Sequence, residues 1–185
     1  HIASFVGIEI LKSGGNAVDA ALAMSAVLCV AEPHMTGIGG DCFAMLSIDG
    51  SANIKALNAS GRSSENSSAS HLRNKGIKLI KPEMPDAITI PGAVAGWREL
   101  SNKYGNIPIE DILDIGINLC HEGFALSEEL FDSLKIHSEE LSGQKSGYSF
   151  YRDNQPYSID TLIRRPQLGK TLELLKDHGL EYFYN

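Results

Sequence analysis

The sequence predicts an α+β chain in which helices pack on a small sheet. Three observations carry that prediction. Residues 17–31 form an apolar run whose single formally charged side chain is Asp19, and Pro33 stops it. Asp49-Gly50 lies between two short apolar runs, which is a hairpin signal. Four later segments, 93–104, 109–121, 127–141 and 166–178, read as helices, three of them closed by Gly105, Gly123 or Gly179.

The elements follow in chain order. Residues 2–11 place apolar side chains at 2, 5, 6, 8, 10 and 11, the spacing of a helix with one buried face, and Ser13-Gly14-Gly15 ends it. The run 17–31 starts at Asn16, whose side-chain oxygen suits an N-cap, and Asp19 stands where the helix dipole favours an anion. Its small and apolar surface predicts burial nearly all round. It is too short and Ala-rich for a membrane span. Residues 42–48 and 52–57 are the hairpin strands. Residues 58–70 are polar, small and flexible; 70–75 form a short helix closed by Gly76; 78–85 form a loop around Pro82 and Pro85; 88–90 form a brief strand. Ser127 caps a single helix over 127–141, and 142–156 form a loop.

Composition narrows the function. With 185 residues the chain is long enough for one domain with a sizeable core. Lys and Arg total 16 against 23 Asp and Glu, a net charge of −7, and no basic stripe appears, so nucleic acid is not an expected partner. Cys29, Cys42 and Cys120 sit in apolar contexts with no paired spacing, which predicts buried free thiols rather than a disulfide framework or zinc site. Residue 1 is His and no leader precedes the first helix, so the expectation is a fragment whose localisation is unreadable.

Several motifs reduce to structure. Thr36-Gly-Ile-Gly-Gly40 follows a helix and precedes a strand, the wrong order for a dinucleotide fingerprint, and no Gly-Lys-Ser/Thr follows. His34 and Asp41 flank it without a third metal ligand. His121, His137 and His178 fall near helix ends or exposed faces. Glu128-Glu129 and Glu139-Glu140 are sequence neighbours whose side chains diverge on a helix. Trp97 reads as a core or inter-helix plug. Arg62, in a Gly/Ser segment just after a strand, is the candidate for chemistry: a solvated loop arginine, or a guanidinium that clamps a carboxylate through paired N–H donors.

The words GGNAVDAA (14–21), AEPHMTGIGGDCFAML (31–46) and PDAITIPGAVAGW (85–97) give the chain a specific resemblance to the gamma-glutamyltranspeptidase family, over the amino-terminal part of its large subunit. The resemblance implies a four-layer αββα N-terminal nucleophile hydrolase fold, of which residues 1–185 are the helix-rich amino-terminal portion. It implies gamma-glutamyl amides such as glutathione as substrates, no cofactor, and a small subunit cut from the same precursor as partner. The nucleophile is an amino-terminal threonine, released when the precursor cleaves itself before a Thr-Thr-His-x-Ser motif. Thr36, Thr89, Thr161 and Thr171 lie in no such motif, so the resemblance implies a chain that is not a catalyst by itself. Family members carry a carboxylate-binding arginine in a pattern like Asp-x-Arg-Glu-x-Ala-Pro. Here Asn58-Ala-Ser-Gly-Arg-Ser-Ser64 sets Ser60 at the arginine position in an ungapped overlay, with Arg62 two residues on. Arg62 is the substrate-binding candidate. The departure leaves open a related acylase acting on other amides, and a non-catalytic scaffold that kept the fold.

Overall fold

The structure is a computed structural model that describes residues 1–81 and 84–185. The chain divides into two compact units, residues 1–37 with 98–185, and residues 38–97. Each is built around one part of the pattern read above.

In the first unit, helix α1 (Ile2–Lys12) packs on α2 (Ala17–Ala31), and α5 (Ile109–Glu122) lies between α2 and α8 (Pro166–His178). The core joins Leu22, Val27 and Val30 of α2 to Ile112 and Leu113 of α5 and Leu172 of α8, each at most 3 % exposed. Small residues make this close approach possible. A Cβ on Gly116 of α5 would meet Leu172 Cδ1 at 3.3 Å and the Ala26 Cβ at 3.6 Å. Only Ala17 and Ala21 of α2 are exposed, so the prediction of a helix buried nearly all round holds.

The start of α2 is fixed by more than a cap. The Asn16 side chain accepts from the backbone N–H of Val18 and Asp19 at 2.7 and 3.1 Å and donates to the Tyr104 carbonyl. Asp19 completes a capping box by accepting from Asn16 N at 2.8 Å. It also accepts from Asn106 N at 3.0 Å and Ile107 N at 3.2 Å, in the link between α4 (Ala93–Tyr104) and α5. Asp19 is 0 % exposed, the one fully buried charged side chain among the described residues.

Other parts of the first unit correct the sequence reading. On α1 the buried residues are Ala3 and Gly7, while Ile2, Phe5, Ile8 and Leu11 are exposed. The large apolar side chains were expected to face the core, but close approach to α2 selects the small ones: a Cβ on Gly7 would stand 2.5 Å from Met24 Sδ. The single helix expected over 127–141 is two, α6 (Glu128–Ile136) and α7 (Ser138–Leu141), with Ser127 the N-cap as predicted. The Tyr151 hydroxyl donates to the Leu134 carbonyl at 2.6 Å, taking the acceptor that Ser138 N would use in an unbroken helix. The expected loop 142–156 contains a tiny hairpin, β4 (Tyr151–Arg152) with β5 (Gln155–Pro156), turning at Asp153 and Asn154, both with positive φ. A second unforeseen pair joins β3 (Phe124–Ala125) to β6 (Leu162–Ile163).

In the second unit, β1 (Cys42–Ser47) pairs antiparallel with β2 (Ile54–Ala59), Cys42 opposite Ala59 and Ser47 opposite Ile54. Asp49 and Gly50 are both left-handed (φ 52° and 67°), and Ser51 N donates to the Ile48 carbonyl, as the sequence signal required. Phe43 and Met45 on one face of β1 are exposed; Cys42, Ala44 and Leu46 on the other are half-buried. Helix α3 (Ala69–Asn74) is capped by Ser68. The brief strand expected over 88–90 shrinks to one bridge, Thr89 with Ser63. Of the loop expected over 78–85, residues 82 and 83 lie outside the described residues.

Replacing Asp19 by Ala leaves three buried or half-buried backbone N–H groups without their acceptor, a loss of about 3 kcal/mol or more. Asp19→Asn keeps one acceptor oxygen and is expected to lose less. The urea midpoints of the full-length protein and the two variants check the order.

Candidate functional site

The segment after β2 is held by backbone rather than by side chains. Asn58 Oδ1 accepts from Ser60 N at 3.0 Å, turning the chain out of the strand. Residues 60–63 then run beside 89–90. Ile90 N donates to the Arg62 carbonyl at 2.9 Å, and the Thr89 hydroxyl donates to the Ser60 carbonyl at 3.3 Å. Two glycines allow this contact. Gly61 has φ +74°, and a Cβ there would stand 1.7 Å from the Ile90 carbonyl oxygen. A Cβ on Gly92 would stand 2.0 Å from the Ala59 carbonyl oxygen. Both distances are far inside van der Waals contact, so neither position accepts a side chain without moving backbone. Gly92 N and Ala93 N both donate to the Gly40 carbonyl at 2.9 Å, which ties the end of the glycine turn to the first turn of α4.

Arg62 sits in this fixed frame. Its carbonyl is engaged, but its side chain is exposed and its guanidinium has no hydrogen-bond or ion-pair partner among the described residues. A planar cation on pinned backbone, with no carboxylate paired to it among the described residues, has the donors to take a carboxylate in bidentate fashion. Ser60 N and Ser63 belong to the same frame; Ser64 Oγ accepts from Asn66 N. The sequence reading singled out Arg62 and missed the Gly61–Gly92 crossing. The signal was present as Gly at the end of Asn-Ala-Ser-Gly and again in Pro-Gly, but nothing in a linear sequence pairs positions 61 and 92.

The remaining candidates make structural contacts. His34 Nε2 lies 3.5 Å from Glu32 Oε2, and Asp41 is exposed. No group of three or more His, Cys, Asp or Glu is placed to hold a metal among the described residues. His121 ties α5 to α8 through Glu173 at 2.8 Å, His137 pairs with Glu140 across the α6–α7 break, and His178 stacks on Tyr182 at 4.8 Å. Trp97 is 2 % exposed, as expected of a plug. Glu128, Glu129, Glu139 and Glu140 are exposed. Each threonine hydroxyl has a partner: Thr36 with Cys29, Thr89 with Ser60, Thr161 with Ser158 and Thr171 with Gln167. No disulfide joins the three cysteines among the described residues; Cys29 and Cys120 are buried and Cys42 is half-buried. Burial pushes the Cys42 thiol up and the Cys120 thiol up to about 11. Among the described residues no helix is long and apolar enough to cross a membrane.

A family model described as gamma-glutamyltranspeptidase matches residues 3–185. The glutathione hydrolase-like YwrD proenzyme of Bacillus subtilis (strain 168) is 31 % identical over 196 residues, covering 100 % of this chain and 35 % of that protein. Among solved structures, Helicobacter pylori gamma-glutamyltranspeptidase superposes with TM-score 0.89 at 29 % identity, over 99 % of this chain and 54 % of that one. Cephalosporin acylase from Bacillus halodurans gives TM-score 0.87 at 29 % identity, over 99 % and 35 %. The chain spans about a third of the length of the curated relatives it matches.

A raised thiol pKa means a scarce thiolate below it. At pH 8, about one Cys120 in a thousand is ionised, and reactivity rises only as pH climbs toward about 11. Cys120 is therefore expected to stay unlabelled by iodoacetamide in the native protein at pH 8 and to label fully in urea; peptide mass mapping reads the difference.

Proposed function

The chain belongs to the gamma-glutamyltranspeptidase family, and on that premise we propose that it forms the amino-terminal part of the large subunit of an amidohydrolase or acyltransferase. Its fold is α+β, the helix-rich amino-terminal portion of an N-terminal nucleophile hydrolase. The proposed substrates are gamma-glutamyl amides such as glutathione. An amino-terminal threonine, on a small subunit cut from the same precursor, attacks the amide carbonyl. Its own α-amine takes the hydroxyl proton and returns it to the leaving amine. Water, or the amine of an amino acid or peptide, then resolves the acyl-enzyme. The part given to this chain is binding. Arg62 takes the α-carboxylate of the gamma-glutamyl group and so sets the scissile carbonyl at a fixed distance from the nucleophile.

The observation that supports this reading is a guanidinium unpaired among the described residues, on a backbone locked by Gly61 and Gly92. A loop arginine with only a solvation role has no need of a frame that excludes side chains at two positions. One departure favours a second reading. Ser60 stands at the family's usual arginine position in an ungapped overlay, and a cephalosporin acylase is among the similar structures. On this reading the enzyme is an acylase for other amides, and Arg62 meets a carboxylate elsewhere on the substrate or none at all.

Intact-mass analysis of the purified full-length product comes first. Two fragments, the smaller beginning with threonine, support a self-processing hydrolase; a chain that stays uncut points to a scaffold. Hydrolysis of a gamma-glutamyl anilide is then compared with that of an uncharged acyl anilide. Arg62→Ala is expected to lower kcat/KM for the gamma-glutamyl substrate about 10- to 100-fold, chiefly through KM, with Arg62→Lys intermediate, since a charge-assisted bond is worth about 1.5–3 kcal/mol. An unchanged value in Arg62→Ala with a processed enzyme transfers the assignment to the acylase reading. Gly61→Ala is expected to reproduce the activity loss by moving Arg62, with a smaller loss when the substrate lacks the carboxylate.

A further inference from the structure

The first unit contains a recess of about 240 Å³ bounded by α6, α7 and the segments 33–34, 147–151 and 165. Leu130, Leu134, Leu141 and Phe150 give it apolar walls; Ser133, His34 and Arg165 supply its polar atoms. Arg165 is half-buried. Its Nη1 donates to the carbonyls of Cys29 and Val30 at 2.8 and 3.1 Å, near the C-terminal end of α2, and its cation lies 5.4 Å from the centre of the Phe150 ring. Nε and Nη2 have no hydrogen-bond partner, and no carboxylate pairs with this cation, among the described residues. Burial lowers its pKa from the ordinary arginine value. Nδ1 of His34, on the same lining, is buried and has no partner among the described residues.

A half-buried cation without a counter-ion is costly. The α2 carbonyls and the ring face offset that cost on one side of the cation, and its other N–H groups, which are not fully enclosed, are open to a ligand. Apolar walls with a few convergent polar groups are the ordinary make-up of a small-molecule site. We propose that this recess binds a small apolar monocarboxylate, its carboxylate on the free N–H groups of Arg165 and its body among Leu130, Leu134, Leu141 and Phe150. The volume, below the roughly 300–1,000 Å³ of sites for drug-sized ligands, limits the body to about one ring or a short branched chain. The carboxylate supplies the missing counter-charge, and the walls reject a fully hydrated anion such as phosphate. This inference stands apart from the proposed activity, because none of its residues takes part in that reading.

The test is calorimetric titration of the purified full-length protein with phenylacetate at pH 7, beside benzyl alcohol and phenethylamine. Phenylacetate is expected to bind saturably, the alcohol at least about ten-fold more weakly, and the amine not at all. Ser133→Phe fills the recess and leaves Arg165 in place. Arg165→Gln removes the charge and keeps an N–H donor for the α2 carbonyls. Each is expected to weaken phenylacetate binding at least about ten-fold. If one variant does not fold by circular dichroism, the other decides. No saturable binding, equal binding of the alcohol, or unchanged affinity in either folded variant overturns the proposal.

Discussion

The buried carboxylate of Asp19 is the constraint on which the first unit turns. A charged group with no exposure survives only where polar partners replace water, and here backbone N–H groups of Asn16, Asn106 and Ile107 do so. The positive end of the α2 dipole adds to them. The consequence is positional. One side chain closes the start of α2 and holds it to the connection into α5. Because α2 is the wall against which both α1 and α5 pack, fixing its first turn fixes where those helices lie. Asn16 strengthens the same joint by donating to the Tyr104 carbonyl.

The opposite end of α2 shows the complementary arrangement. There a cation, Arg165, donates to the carbonyls of Cys29 and Val30. An anion at the N-terminus and a cation near the C-terminus both meet the partial charges of the free peptide groups. The two differ in how completely they are satisfied. Asp19 is fully buried and accepts from three backbone donors, whereas Arg165 keeps N–H groups that are unpaired among the described residues beside an apolar recess. That contrast separates a structural charge from one with capacity to bind.

The second unit relies on excluded volume instead of charge. Gly61 and Gly92 let two backbone segments cross at distances that any Cβ would violate, and the crossing holds the backbone of Arg62, whose guanidinium is unpaired among the described residues. The arginine was visible in the sequence as a charge in a small polar loop. Its frame was not, because steric exclusion between residues thirty positions apart leaves no local trace.

Local chemistry alone determined most of the elements. The Asn16 cap, the Pro33 stop, the Asp49-Gly50 turn and the glycines ending α1, α5 and α8 act within a few residues, so the sequence specifies them directly. The motifs at 14–21, 31–46 and 85–97 likewise identified the family. Tertiary structure decided what depends on remote partners. It chose Ala3 and Gly7 over Phe5 and Ile8 as the buried face of α1, because close helix packing rewards small side chains over large ones. It broke the 127–141 helix by giving the Leu134 carbonyl to Tyr151. It joined β3 to β6 across nearly forty residues. It also turned Asp19 from a favourable charge in a first turn into the shared acceptor of two chain segments, since a carboxylate's remaining lone pairs are assigned only when distant N–H groups arrive.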